Sequence, residues 1–284
     1  MKRFLPLLLV LLALSSCGNG GRKPLVLREV IEVAGRQGVA TDGKYWYVSG
    51  SAALYKYDLK GNLLLSNETP FETMAGRVNH IGDIDVFGGE IYAGCEYFMD
   101  GAGENIQIAV YDTETLQYKR SVNWNPESGQ VECCGLAVDS GRGHVWMADW
   151  VDGQHLYCYD LVSGAYVGKV ALDPVPMFQQ GIYSLLGKML ISCDDGDADR
   201  GEADNVYIVD LYAPDGGLKV VAEPRLFRKM DDFRLTGEIE GLTALPDGCI
   251  AILSNRGARI VKGMPKGFYD GYDREIHEIY IYSR

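Results

Sequence analysis

Short apolar runs bounded by Gly, Asp and Asn follow one another along the chain, and two of them recur in a fixed order. One line reads Leu54-Tyr-Lys-Tyr-Asp58-Leu, Ile108-Ala-Val-Tyr-Asp112-Thr, Leu156-Tyr-Cys-Tyr-Asp160-Leu, Val206-Tyr-Ile-Val-Asp210-Leu and Ile279-Tyr-Ile-Tyr-Ser283. Ahead of each copy lies a second line: Gln37-Gly-Val-Ala, Gly82-Asp-Ile-Asp, Cys134-Gly-Leu-Ala, Gln180-Gly-Ile-Tyr and Glu240-Gly-Leu-Thr. A fixed-order repeat of about 50 residues means stacked supersecondary units, here the blades of an all-β propeller. Five copies predict five four-stranded blades.

Within each repeat, strand A begins at the x-Gly-apolar line and a Gly-bearing turn follows. Strand B is β-rich, as in Tyr45-Trp-Tyr-Val and His144-Val-Trp-Met. Strand C is the Tyr/Val line, and strand D is weaker, as in Leu63-Leu-Leu and Tyr118-Lys-Arg-Ser-Val. Such runs fit strands, and no helical period is present. The last repeat runs out of chain after strand C. The stretch Pro24 to Val33 has strand character and precedes the first strand A, so it is expected to complete the last blade and close the ring. Two insertions, Cys193 to Asp204 and Arg256 to Asp273, break the regularity and read as functional loops.

The start of the chain is of another kind. Lys2 and Arg3 precede an apolar run, Phe4 to Leu14, too short to span a bilayer as a helix. Leu14-Ser15-Ser16-Cys17 then resembles a bacterial lipoprotein box. The expected organisation is a signal peptide over 1–16, a tether over 17–23 lipidated at Cys17, and a propeller over 24–284. That predicts a cell-envelope protein, periplasmic or surface-facing, held to a bacterial membrane by its lipid alone.

The formal net charge of −12 becomes −14 once Lys2 and Arg3 leave with the signal peptide. This excludes nucleic acid and anionic lipid as electrostatic partners and suits cations, neutral sugars or an envelope protein. Six cysteines follow Cys17, with no zinc-module spacing. Cys95, Cys133, Cys134 and Cys193 fall near one face, which leaves open a bridge from one of the vicinal pair to Cys95 or Cys193. Buried free thiols are the commoner outcome in a core of this size.

In a propeller the starts of strands A and the B–C loops share one face. That face is predicted to collect Gln37, His80, Asp83, Glu96, Asp149, Trp150, Gln180, Glu240, Asn255 and Arg256, with Asp100, Glu104 and Asp152 nearby. Carboxylates, amides, a histidine and a tryptophan in one mouth make a polar ligand site. His80 and Asp83, three apart at a strand start, could also act in acid–base chemistry or as metal ligands. In the repeat-four loop Asp195, Asp197 and Asp199 alternate, a pattern that suits either Ca²⁺ or a solvated acidic loop. Asp58, Asp112, Asp160 and Asp210 recur in register and read as turn-formers.

The repeat lines resemble bacterial envelope propellers with YVTN- or NHL-like repeats. The first repeat, Arg36-Gln-Gly-Val-Ala-Thr-Asp-Gly to Leu54-Tyr-Lys-Tyr-Asp58-Leu, is similar to the opening blade of five-bladed glutaminyl cyclases, and Gln180-Gly-Ile is similar again. The family's Glu-Gly-Trp segment is replaced here by Glu240-Gly-Leu-Thr. No nucleophile elbow, phosphate loop or zincin motif is present. The expected function is therefore binding of a small or carbohydrate-like ligand, or scaffolding, through the top face. The alternative is an enzyme using top-face carboxylates and His80, either a glutaminyl-cyclase-like acyltransferase or a sugar lyase or hydrolase.

Overall fold

Five sheets, each built on four antiparallel blade strands, stand around one axis. The structure, a computed structural model, describes residues 25–99, 102–150, 153–233, 236–261 and 264–283. Cys17, Asp100 and Asp152 lie outside them. From axis to rim, blade one is Gly38–Thr41, Tyr45–Gly50, Ala53–Asp58 and Leu63–Asn67; blade two is His80–Phe87, Glu90–Met99, Ala102–Asp112 and Tyr118–Asn123. Blade three is Gly135–Asp139, His144–Ala148, His155–Asp160 and Tyr166–Leu172, and blade four is Gln179–Leu185, Lys188–Cys193, Asn205–Val209 and Arg225–Lys229. Blade five is Ile239–Ala244, Ile250–Arg256, Ile276–Ser283 and, from the other end of the chain, Val26–Val33.

The predicted closure is present: Val26 pairs with Ser283 and Val33 with His277, antiparallel. Ile31 and Val33 are buried against Trp46, Leu253 and Ile279. A chain beginning at Ala34 would expose the edge of Ile276–Ser283 and strip this packing. We expect such a truncation to aggregate or melt well below the full domain, by light scattering and circular dichroism. A monomer with unchanged melting temperature would refute the closure.

Packing is between blades. Five apolar clusters fill the five seams, for example Trp146 of blade three with Ile182 and Ile191 of blade four, and Tyr47 of blade one with Ile84 and Ile91 of blade two. The recurring tyrosines sit in these seams: Tyr57, Tyr111 and Tyr159 are buried. The aspartates that follow them mostly act as turn-formers. Asp58 accepts from the N–H groups of Lys60 and Asn62, Asp112 from Glu114 and Thr115, and Asp160 from Val162 and Ser163. Asp210 differs. It pairs with Lys188 at 2.6 Å, because the chain after it makes an excursion. Val221–Ala222 there joins blade three as a fifth strand, parallel to Tyr166–Leu172, before blade four is completed.

The repeated glycines mark where the strands A crowd the axis. A Cβ on Gly38 would lie 2.6 Å from Ile84 N, one on Gly82 2.5 Å from Cys134 O, and one on Gly181 2.6 Å from Gly241 Cα. Neighbouring blades therefore approach backbone to backbone, and no side chain fits between them. All six described cysteines are buried free thiols.

Candidate functional site

Asp83 closes the axis. Fully buried, it accepts from the backbone N–H groups of Ile84 at 2.9 Å and, across the ring, Ile182 at 3.0 Å. Burial raises its pKa well above the usual carboxylate range. It is a structural hub below the mouth and does not meet His80 as an acid–base pair.

Above it opens a mouth of about 220 Å³, formed by the A starts and B–C connections of the blades. Five of the ten expected residues line it: Gln37, His80, Trp150, Gln180 and Glu240. Three others stand behind them. Glu96 Oε1 is 3.3 Å from His80 Nδ1, whose other ring nitrogen lies 3.2 Å from Gln37 Oε1. Asn255 donates to Glu240 at 2.6 Å. Asp149 accepts from the Tyr157 hydroxyl at 2.8 Å. Arg256 turns away to a two-pronged pair with Glu278 at 2.9 and 3.0 Å.

Glu96 was expected in a loop after a strand ending at Cys95. Instead the second and third strands of blade two continue as a long hairpin, with a bulge between Cys95 and Tyr97. A bulge re-aims one side chain, and here the carboxylate of Glu96 is buried beneath the mouth. The same hairpin brings Phe98 to the wall.

Sequence reading missed two charged wall residues, Arg36 and Glu132. Arg36 is ion-paired with Glu238 at 3.0 Å and Glu275 at 3.3 Å, and approaches Glu240 at 4.0 Å. Glu132, just upstream of the vicinal cysteines, accepts from Trp150 N at 2.7 Å. Its carboxyl also hydrogen-bonds that of Glu96. Two carboxyls in contact disfavour a charge on both. Burial, then the charge of Glu96, keeps Glu132 protonated well above the usual range. Burial, then Glu238, does the same for Glu240, and burial lifts Asp149 to about 6. Part of the acid set therefore keeps its proton to higher pH than a free carboxyl, and a protonated carboxyl donates as well as accepts.

One wall is aromatic. Ring centroids run from His80 to Phe98 at 5.5 Å, Phe98 to Trp150 at 6.4 Å and Trp150 to Phe178 at 6.1 Å. Trp150 is buried, yet its indole Nε1–H has no acceptor among the described residues.

The three aspartates of the repeat-four loop do not converge. Asp195 accepts from Asn205 and Tyr207, Asp197 caps the turn Ala198–Arg200, and Asp199 pairs with Arg259. Among the described residues no three His, Cys, Asp or Glu side chains form a group able to hold a metal. The carboxyls in contact in this region are Asp194 and Asp204.

No protein-family model and no curated protein matches the chain. Among solved structures it is similar to a glutaminyl cyclase of Myxococcus xanthus, at 13% identity over 90% of this chain and 96% of that one, with a TM-score of 0.56. What the two share is the fold. A Bacteroides thetaiotaomicron structural-genomics protein of unknown function is similar at 12% identity over 89% of this chain and 70% of that one, TM-score 0.50.

Proposed function

We infer that the axial mouth binds a small, hydroxyl- or amine-bearing ligand of the carbohydrate-like class, and that the protein presents this site from a lipid anchor in a bacterial cell envelope. The observation that carries the reading is the paired character of the mouth. Acids and amides fixed by second partners face an aromatic wall whose indole N–H is unpartnered. Sugar rings offer hydroxyls to such acids and a C–H face to such rings. Arg36 is already neutralised by its glutamates, so an anionic ligand finds no free cation among the lining residues.

Calorimetric titration with a panel of neutral and amino sugars tests this. At least one is expected to bind saturably, with about 100-fold loss in Trp150→Ala and in Glu240→Ala, the size of a central anchor. Binding that both variants leave intact, or none across the panel, would sink it.

A second reading is enzymatic. His80 stands between Glu96 and Gln37, beside an acid that burial keeps protonated to higher pH than a free carboxyl, which is the equipment of general acid–base catalysis. The similar fold of a glutaminyl cyclase adds to it. Ammonia release from a glutaminyl peptide, abolished in His80→Ala, would favour this reading over simple binding.

A further inference from the structure

The opposite end of the axis carries a different surface. The A–B turns and strand ends of the blades surround a cavity of about 1090 Å³, lined by Val86, Phe87, Leu185, Leu186, Leu245 and Pro246 among others. Phe87 is 44% and Leu186 56% exposed at its edge. The C–D turns reach the same face, and one of them presents Val162, 93% exposed. Nothing in the mouth's chemistry uses these side chains.

The chain enters the propeller at this face. Val26 pairs with Ser283, where the third strand of blade five ends, and both Arg28 and Ser283 line this cavity, with Asp42 and Asp247. Between Cys17 and Leu25 stand seven residues, which extend at most about 30 Å. The rim strand Val26–Val33 is eight residues long and rises about 26 Å at 3.3 Å per residue. To bring the mouth's face to the lipid, the tether would be used up in climbing the blade. To bring the turn face there, it needs no extension.

We propose that this turn face rests on the lipid bilayer, with Phe87, Leu186 and Val162 at the interface and the ligand mouth turned away from the membrane. The proposal rests on acylation of Cys17. The occupant is a lipid surface because the anchor emerges beside the apolar turns. The contact is made by these apolar tips standing between acidic turns, since Asp42, Asp247 and the turn-forming Asp58, Asp112 and Asp160 share the face and a mature charge of −14 offers no attraction to anionic headgroups. It therefore holds on neutral lipid and at high salt.

The test uses the full-length acylated protein in phosphatidylcholine vesicles containing doxyl-labelled lipid. Phe87→Cys, Leu186→Cys and, on the mouth side, Phe268→Cys, exposed in the B–C hairpin of blade five that pairs Ala258–Val261 with Met264–Phe268, each carry a nitrobenzoxadiazole probe. The background is Cys249→Ala, because Cys249 lines the same cavity. Probes at 87 and 186 are expected to brighten and be quenched severalfold more than the probe at 268. Equal quenching at all three, or stronger quenching at 268, overturns the orientation. Palmitate labelling, compared with Cys17→Ala, reports the anchor separately. Labelled protein with unquenched turn-face probes overturns the orientation alone, and unlabelled protein overturns the anchor together with the proposal.

Discussion

Gly241→Ala is expected to cost about 3–5 kcal/mol, the range of overpacking and strain in a core that cannot yield. A Cβ at this position would lie 2.2 Å from Asp83 Oδ1 and 2.7 Å from Gly38 Cα. Neither neighbour is the free end of a flexible side chain. Asp83 is fixed by N–H groups of two blades, and Gly38 is backbone of a third. The strain therefore spreads to blades one, two and four together. Gly241→Val is expected to give no soluble folded protein. Gly187→Asn is the control. Its Cβ meets open space, and its φ of +77° is one that asparagine tolerates, so the loss should stay within about 1 kcal/mol. Denaturant midpoints at constant slope measure both. If Gly241→Ala unfolds within 1 kcal/mol of the parent, the axis is not the tight seam described here.

That glycine also shows why the fold was legible and the site only partly so. The x-Gly-apolar signal repeats because every blade meets the same backbone crowding at the axis, and a constraint applied five times leaves a periodic trace. Strand alternation carries the pattern further upstream. The residue one before each glycine supplies Gln37, Cys134, Gln180 and Glu240 to the mouth, and the residue three before supplies Asn79, Glu132 and Glu238. Extending the period of two past the glycine would have found Glu132. Arg36 and His80, two before it, break that rule. In blade two the register shifts between Ile81 and Ile84, and such irregularities leave no periodic mark. The fifth strand Val221–Ala222 and the long blade-two hairpin were hidden for a related reason. Each is a single event in one repeat, decided by tertiary contact.

The protein is expected to be most stable in acid, near pH 4, and to lose stability as pH rises toward 8. Asp85 and Asp149 titrate at about 6 when folded, and Asp204 at about 7, in each case chiefly because burial disfavours the charged form. Asp83, Glu132 and Glu240 are pushed up in the same direction by burial. In the unfolded chain these groups titrate near 4. An acid whose folded value is raised contributes stability that is complete below the unfolded value and is lost as pH climbs through the folded one. A shift of two units corresponds to about 3 kcal/mol, so Asp85 and Asp149 alone make the alkaline limb steep. A fall in melting temperature on the order of 10 °C between pH 5 and pH 8 follows for a domain of this size. The acid limb has the opposite origin. Glu90, held down to about 2 by hydrogen bonds from Arg120 and Lys119, and the turn-forming Asp58, Asp112 and Asp160 lose their stabilising charge below pH 4. Calorimetric melts across pH 3 to 9 trace both limbs. Asp85→Asn should flatten the alkaline one, since an amide keeps the acceptor for Val138 N or Val86 N without a charge to bury. A melting temperature that climbs from pH 5 to pH 8 would show that the buried acids are ionised and compensated in the folded protein, and the neutral carboxyls assigned to the mouth would fall with that result.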